Sequence, residues 1–180
     1  MITLIRHGEA ASKWGDHPDP GLSEKGHAQA GSVVADLAGQ TVSNILTSPM
    51  RRCQETAQPL SVALGRDAII TPEVSEIPTP TDLQTDRVTW LKGLRGGVWA
   101  DAPPIVQDWR SALLDKIQSL PDDTIVFTHF VAINAIVAEL EGREETTVFR
   151  PTYCSQTVLV RYNGNLIVKS RGAEADTRVL

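Results

Sequence analysis

The chain has 180 residues, of which 41% are hydrophobic and 22% charged, and its formal net charge is −5. This length is typical of one domain with a substantial core, and the ordinary composition argues against a disordered chain or a fibre. The acidic balance provides no long-range attraction to nucleic acid or to an anionic membrane, so we expect neither as a partner. Any bound anion must therefore meet positive charge that is concentrated locally.

The sequence shows no pattern typical of export, membrane insertion or covalent crosslinking. No charged region followed by a long apolar run opens the chain, so no signal peptide is predicted. No apolar run approaches the roughly 18 to 20 residues of a membrane span. The two cysteines, Cys53 and Cys154, form no C-x-x-C pair, which argues against a disulfide framework or a zinc site. We therefore expect a cytoplasmic protein.

Apolar strands alternate with amphipathic helices along the first part of the chain. The predicted elements are a buried strand at 2–6, a helix at 23–38, a short strand at 43–48, a helix after Pro49 and a strand at 67–71. Residues 77–104 differ, because proline-rich boundaries enclose a mixture of apolar, basic and glycine residues. We expect them to form a cap-like excursion within a single domain that covers 1–180.

The second part of the chain continues the alternation and then ends in a hairpin. A helix carries an apolar stripe from Val106 to Leu120, a strand covers 123–130, and a helix covers 131–141. Two apolar runs then flank Asn163-Gly164, a strong signal for a two-residue turn. The sequence therefore predicts an α/β three-layer sandwich, with a mainly parallel central sheet, helices on both faces and a C-terminal antiparallel hairpin.

Two histidines follow buried strands of this predicted sheet. His7 and His129 both stand at strand carboxyl ends, the edge at which open α/β sheets bind ligands. The four histidines lack the spacing of a metal site, and no phosphate-binding P-loop, dinucleotide-binding loop or serine-hydrolase elbow is present. We therefore predict an active centre at this edge and no metal or other cofactor.

Arginines accompany the histidines. Arg6 precedes His7, and Arg51 and Arg52 begin the helix after Pro49, where free N–H groups and the helix dipole also favour an anion. An arginine fork binds phosphate oxygens well. From these residues alone, Arg51 and Arg52 could equally form a solvated helix face.

Several segments in order resemble the histidine phosphatase superfamily, which includes the cofactor-dependent phosphoglycerate mutases. "LIRHGEA" is similar to the family's L-x-R-H-G-E signature, and "DPGLSEKGHAQA" to its D-x-x-L-T-x-x-G-x-x-Q-A. "SPMRRCQETA" resembles S-x-L-x-R-A-x-x-T-A, which aligns Arg52 rather than Arg51 with the phosphate-binding arginine. "VSEIP", "TIVFTHF" and "YCSQTVLV" stand in the places of later family segments.

The resemblance implies a phosphatase that acts through a phosphohistidine. His7 would be the nucleophile, and Arg6, Arg52 and His129 would hold the phosphoryl oxygens. Glu76 would protonate the leaving oxygen and then activate water. Gly8 would allow a tight turn whose carbonyl orients the imidazole of His7.

Two positions depart from the family pattern, and we expect both to contact the substrate. Lys13 stands where the family often has an asparagine, and Phe130 stands where it often has a glycine. Glu76 lacks the usual following residues, so Glu73 and Asp82 remain alternatives for the acid. Trp90 and Trp99 could line the pocket or belong to the core.

We expect a metal-independent phosphomonoesterase whose partner is a small phosphorylated substrate or phosphate ion. A protein phosphohistidine phosphatase and a phosphoglycerate mutase-type phosphotransferase are alternatives within the same family. An alternative of another class is a catalytically weak binding module that keeps the fold.

Overall fold

A computed structural model describes residues 1–12 and 17–175 and places a six-stranded sheet between two layers of helices. The strands are β1 (Ile2–Arg6), β2 (Asn44–Thr47), β3 (Ile69–Ile70), β4 (Thr124–Thr128), β5 (Gln156–Tyr162) and β6 (Asn165–Ser170). The helices are α1 (Glu24–Asp36), α2 (Arg51–Leu64), α3 (Arg87–Arg95), α4 (Pro104–Ser119) and α5 (Phe130–Leu140). Short 3-10 turns cover Pro72–Val74 and Trp99–Asp101.

The strand order is β3-β2-β4-β1-β5-β6, with parallel pairing from β3 through to β1. Only β5 runs the other way, and it pairs antiparallel with both β1 and β6. The hairpin turns at Asn163 and Gly164, whose φ angles of 50° and 84° suit the mirror-image turns of hairpins. The predicted fold class is confirmed.

Residues that alternate along each central strand point to opposite helix layers. Leu4 and Val126 face the layer of α4 and α5, whereas Ile5 and Phe127 face the layer of α1 and α2. Because both faces are covered, the central strands are apolar without a polar side. The helices supply the matching stripes, which include Val106, Leu113, Ile117, Ile133 and Ile136 on one face and Val33, Cys53, Ala57 and Leu60 on the other.

The structure differs from the predicted elements at the sheet edge and in the segment 77–104. The third strand is only Ile69–Ile70, and both side chains are exposed at the edge of the sheet. The segment contains α3, and Trp99 is buried in the core rather than left at a pocket mouth. Its role as a cap stays a prediction. Within the described ranges, no helix is long and apolar enough to cross a membrane.

The register of the sheet brings three strand ends level. Arg6 pairs with Thr128, and Thr47 pairs with Phe127. The next residues continue the ladder by one bond, because the His7 N–H donates to the Thr128 carbonyl at 3.0 Å. The side chains that follow β1, β2 and β4 therefore emerge side by side at one edge.

Candidate active site

Five polar side chains converge at this edge, and the structure brings together Arg6, His7, Arg52, Glu76 and His129. The rings of His7 and His129 are 5.2 Å apart. Arg52 lies between them: its Nε donates to His7 Nε2 at 3.2 Å, and its terminal nitrogen lies 3.2 Å from His129 Nδ1. Four of the five, all but Arg6, are buried. Because these charged and titratable groups are buried, their electrostatic interactions with a bound anion are stronger than they would be in water.

His7 is held in one tautomer by its own neighbour. Its Nδ1 lies 2.7 Å from the carbonyl oxygen of Gly8, which can only accept a hydrogen bond, so the ring proton is on Nδ1. Burial, followed by the charges of Arg52 and Arg6, holds the pKa of His7 well below its usual range. The ring is therefore neutral, and the lone pair of Nε2 faces Arg52.

Position 8 requires glycine because of close packing, and not because of the tight turn that the sequence predicts. Its φ is not in the left-handed region, but a Cβ there would lie 2.8 Å from the carbonyl oxygen of Gly26. A Cβ on Gly26 would lie 2.1 Å from the carbonyl oxygen of Glu9. The two glycines let α1 approach the loop after β1, and the Gly8 N–H donates to Thr56 on α2 at 3.0 Å.

The two arginines of the cluster reach it from different elements. Arg52 is the second residue of α2, and the alignment that favoured it over Arg51 agrees with the geometry. Arg51 points outward and pairs with Glu55 at 2.6 Å. Arg6 donates to the Pro151 carbonyl at 2.8 Å and its Nε is buried without a hydrogen-bond partner among the described residues. An unsatisfied buried guanidinium N–H is suited to bind an anion.

His129 is oriented by a serine that sequence reasoning did not single out. The hydroxyl of Ser48, directly after β2, lies 2.8 Å from His129 Nε2, which turns Nδ1 toward Arg52 and Glu76. Burial, together with the charges of His7 and Arg52, holds the pKa of His129 well below its usual range. The serine of "SPMRRCQETA" was visible as a family position, but only the parallel pairing of β2 and β4 reveals its partner.

Glu76 is the carboxyl group that reaches the cluster. Its Oε2 lies 3.5 Å from both Arg52 and His129 Nδ1, and its Oε1 accepts the N–H of Ile77 at 3.2 Å. Burial raises its pKa against the opposing charge of Arg52. Within the part of the chain that the structure describes, neither Glu73 nor Asp82 lies within hydrogen-bond or ion-pair distance of the histidines.

Of the two residues expected to contact the substrate, the structure describes only Phe130. Lys13 lies outside the described residues. Phe130 begins α5, is 9% exposed, and has two guanidinium groups against its ring, with Arg6 at 5.4 Å and Arg95 at 4.2 Å from the centroid. Tyr153 adds a second aromatic ring, 4.0 Å from the guanidinium of Arg6. Neither Arg95 nor Tyr153 was predicted, because α3 and the loop before β5 reach the site only through tertiary packing.

The described residues contain no group of three histidine, cysteine, aspartate or glutamate side chains that could hold a metal ion. Two guanidinium groups, two neutral imidazoles and one carboxyl remain as the chemically active set. This set can bind an oxyanion and offers both a nitrogen nucleophile and a proton donor.

Comparisons with known proteins agree with the sequence motifs. Residues 2–83 match the family model described as "Histidine phosphatase superfamily (branch 1)". A protein named "Probable phosphoglycerate mutase GpmB" from Erwinia tasmaniensis is 26% identical over 162 residues, which cover 79% of this chain and 75% of that protein.

Solved structures share the fold over nearly the whole chain. Bacillus stearothermophilus YhfR aligns with a TM-score of 0.76 at 20% identity and covers 97% of each chain. A phosphoserine phosphatase from Entamoeba histolytica, solved in complex with 3-phosphoglyceric acid, aligns with a TM-score of 0.73 at 22% identity, again over 97% of each chain. Residues 2–83 are therefore similar in sequence to the histidine phosphatase superfamily, and the whole chain shares its fold with these solved structures.

Proposed function

We propose that the protein is a phosphomonoesterase that acts through a phosphohistidine on His7. The observation that carries the proposal is the state of this imidazole. Its Nδ1–H donates a hydrogen bond to the carbonyl oxygen of Gly8, and its Nε2 lone pair faces the guanidinium of Arg52 at 3.2 Å. A nitrogen nucleophile aimed at an anion clamp is the arrangement that phosphoryl transfer needs.

In the first step, the substrate phosphate replaces the contact between Arg52 and His7. Arg6 and Arg52 hold its oxygens, and Nε2 of His7 attacks phosphorus while the bond to the ester oxygen breaks. Glu76, whose pKa is raised by burial, gives its proton to the departing oxygen. The products of this step are an alcohol and a phosphohistidine.

In the second step, the same groups work in reverse. The carboxylate of Glu76 takes a proton from water as the water oxygen attacks phosphorus, and the bond from phosphorus to Nε2 breaks. Inorganic phosphate leaves, and His7 and Glu76 return to their starting forms. Nδ1 of His129 accepts a hydrogen bond from Arg52, so His129 holds that guanidinium in place for the phosphoryl oxygens.

The test is hydrolysis of p-nitrophenyl phosphate, with and without a chelator, by the wild type and by His7→Ala. We expect turnover that survives the chelator and falls by at least about a thousandfold in the variant, because the nucleophile is lost. Rapid quenching after a radioactive phosphomonoester should give an acid-labile, base-stable label on the wild type only. Equal turnover in both proteins, or a label that survives His7→Ala, would overturn the assignment.

A phosphoglycerate mutase activity is the second candidate, because the Erwinia relative carries that name. The same phosphohistidine would then return its phosphoryl group to a second hydroxyl of the bound ligand rather than to water. Incubation with 3-phosphoglycerate and a trace of 2,3-bisphosphoglycerate separates the two activities. Formation of 2-phosphoglycerate indicates a mutase, whereas release of inorganic phosphate alone indicates a phosphatase.

A further inference from the structure

The guanidinium of Arg6 lies against two aromatic rings. Its central carbon is 4.0 Å from the ring centroid of Tyr153 and 5.4 Å from that of Phe130. Phe130 belongs to α5, whereas Tyr153 stands in the loop before β5, so the two rings reach Arg6 from different parts of the fold. A cation over the face of an aromatic ring is attracted by the ring electrons. Of the two contacts, the one with Tyr153 is the closer.

The loop that carries Tyr153 also holds Arg6 through its backbone. The carbonyl oxygen of Pro151 accepts a hydrogen bond from Nη1 of Arg6 at 2.8 Å, and the N–H of Cys154 donates to the Arg6 carbonyl at 2.9 Å. Cys154 has a φ of 58°, a left-handed conformation that residues other than glycine rarely adopt. Such a conformation persists only where the surrounding structure enforces it, and functional sites are where it is often found. One short loop therefore contacts both the main chain and the side chain of Arg6.

The same loop is fixed on its other side. The N–H of Thr152 donates to the carbonyl of Ala173 at 2.8 Å, and the hydroxyl of Ser155 donates to the carbonyl of Thr152 at 2.9 Å. Pro151 pairs with Glu174 in an isolated antiparallel bridge. Because the loop is tied to the segment after β6, it provides a firm support for the side chain that it contacts.

These contacts leave one edge of the guanidinium for a ligand. Pro151 binds Nη1, whereas Nε of Arg6 is buried and has no hydrogen-bond partner among the described residues. Tyr153 also borders the imidazole of His7, with 5.9 Å between the two ring centroids. A guanidinium that is already held in place beside His7 needs little reorganisation when an oxyanion arrives, so less binding free energy is lost in ordering it.

We propose that Tyr153 is a positioning residue that fixes the guanidinium of Arg6 for binding the phosphoryl group. The proposal rests on the proposed function, in which Arg6 holds phosphoryl oxygens while His7 attacks phosphorus. The aromatic ring of Tyr153 performs this role, because the guanidinium lies over its face. A side chain of similar size without a ring leaves Arg6 free to leave the productive orientation.

The test measures the dissociation constant of inorganic phosphate by titration followed with phosphorus NMR. We expect Tyr153→Leu, which removes the ring, to weaken phosphate binding about fivefold or more. Tyr153→Phe keeps the ring and should stay within about twofold of the wild type. The values of kcat/KM for p-nitrophenyl phosphate should follow the same order. Rescue by phenylalanine separates the role of the ring from that of the hydroxyl.

A double-mutant cycle with Arg6→Gln shows whether the ring acts through Arg6. In that background Tyr153→Leu should weaken phosphate binding less than about twofold, because no charge remains for the ring to hold. Tyr162→Leu is the matched control, since Tyr162 is exposed at the end of β5 and undergoes the same chemical change. It should leave the dissociation constant unchanged. Thermal unfolding of each variant verifies that it is folded.

Three results would contradict the positioning role. The first is an unchanged dissociation constant in Tyr153→Leu, and the second is an equal loss in Tyr153→Phe and Tyr153→Leu. The third is the same loss from Tyr153→Leu in the presence and in the absence of Arg6, which would mean that the ring acts independently of it. Failure of the proposed function is distinguishable, because p-nitrophenyl phosphate would then not be hydrolysed while phosphate binding still depends jointly on Tyr153 and Arg6.

Discussion

At the scale of single residues, burial shifts the pKa values of the two histidines and of the carboxyl group in opposite directions, and in each case it favours the neutral form. It lowers the pKa values of His7 and His129 and raises that of Glu76. In each case the neutral form is favoured, since low dielectric penalises charge. The cluster therefore places two imidazoles and a carboxyl group, each with its neutral form favoured, beside charged guanidinium groups, which suits the proposed acid-assisted phosphoryl transfer.

Glu76→Gln tests the acid in this set. Because glutamine cannot give a proton, we expect kcat/KM for an alkyl phosphate such as glycerol 3-phosphate, which reports the first step, to fall about 100-fold or more. p-Nitrophenolate leaves without a proton, so kcat/KM for p-nitrophenyl phosphate should fall less than about tenfold at the same pH. The measurement is steady-state kinetics on both substrates with one enzyme preparation.

The control for this prediction is Glu73→Gln. Glu73 was an alternative from sequence, lies three residues away and contacts neither histidine in the described structure. It should leave both rates near the wild-type values. Equal slowing of the two substrates by Glu76→Gln would assign Glu76 to positioning rather than to proton transfer.

The spacing of a motif is enough to single out which of two neighbouring arginines lies at the cluster. The alignment selected Arg52 over Arg51, and α2 turns only Arg52 inward. It failed for Ser48 and Arg95, whose partners His129 and Phe130 are distant in sequence and adjacent only after folding. Side-chain partners set by tertiary packing leave no periodic signal along the chain.

At the scale of elements, the position of His7 depends on how closely α1 approaches the loop after β1. The approach is made at Gly8 and Gly26, and the Ser23 side chain accepts the Gly26 N–H as the N-cap of α1. Glu9 joins the same contact by accepting a hydrogen bond from the Ser23 hydroxyl at 3.0 Å. The helix therefore acts as a support for the backbone carbonyl that orients His7.

Gly26→Ala tests this support. The added Cβ would lie 2.1 Å from the carbonyl oxygen of Glu9, so backbone must move. We expect a loss of about 2 to 3 kcal/mol in the free energy of unfolding, together with reduced kcat because the loop that carries His7 shifts. Urea denaturation and p-nitrophenyl phosphate kinetics measure the two effects.

Gly31→Ala is the matched control within the same helix. Gly31 has no atom within 4 Å of an added Cβ, so alanine should stabilise α1 by about 0.5 to 1 kcal/mol through its higher helix propensity. Its kcat should equal that of the wild type. Similar stability changes in both variants would mean that the contact between α1 and the loop does not restrict position 26.

The helices were predictable because their burial is periodic, and the central strands because they are short continuous apolar runs. The exceptions have local causes. The third strand is only Ile69–Ile70, because it pairs with β2 alone at the edge of the sheet and short edge strands are common there. The segment 77–104 resisted prediction because its helix, α3, contributes few core side chains, Leu91 being buried. Its composition alone could not reveal that Arg95 ends beside Phe130.

At the scale of the whole molecule, the buried histidines connect the active site to stability. The unfolded chain binds a proton at His7 and His129 below a pH of about 6.5, whereas the folded chain keeps both neutral. The unfolded state then holds more protons, so stability falls as pH falls. Glu76 acts in the opposite direction, because its raised pKa lets the folded state keep a proton at a pH above 4.5, where the unfolded chain has lost it. This single carboxyl group opposes the effect of two histidines.

We therefore expect the melting temperature to fall between pH 7 and pH 5.5. The free energy of unfolding should then change by up to about 1.4 kcal/mol per pH unit for each histidine, once the pH is below the pKa of that histidine in the unfolded chain. His7→Asn removes one of the two groups and should reduce the fall by about half, as measured by thermal unfolding at matched ionic strength. His27→Asn, on the exposed face of α1, should leave the fall unchanged. A melting temperature that rises on acidification, or a fall that His7→Asn does not reduce, would show that the buried imidazoles do not control the acid stability of the fold.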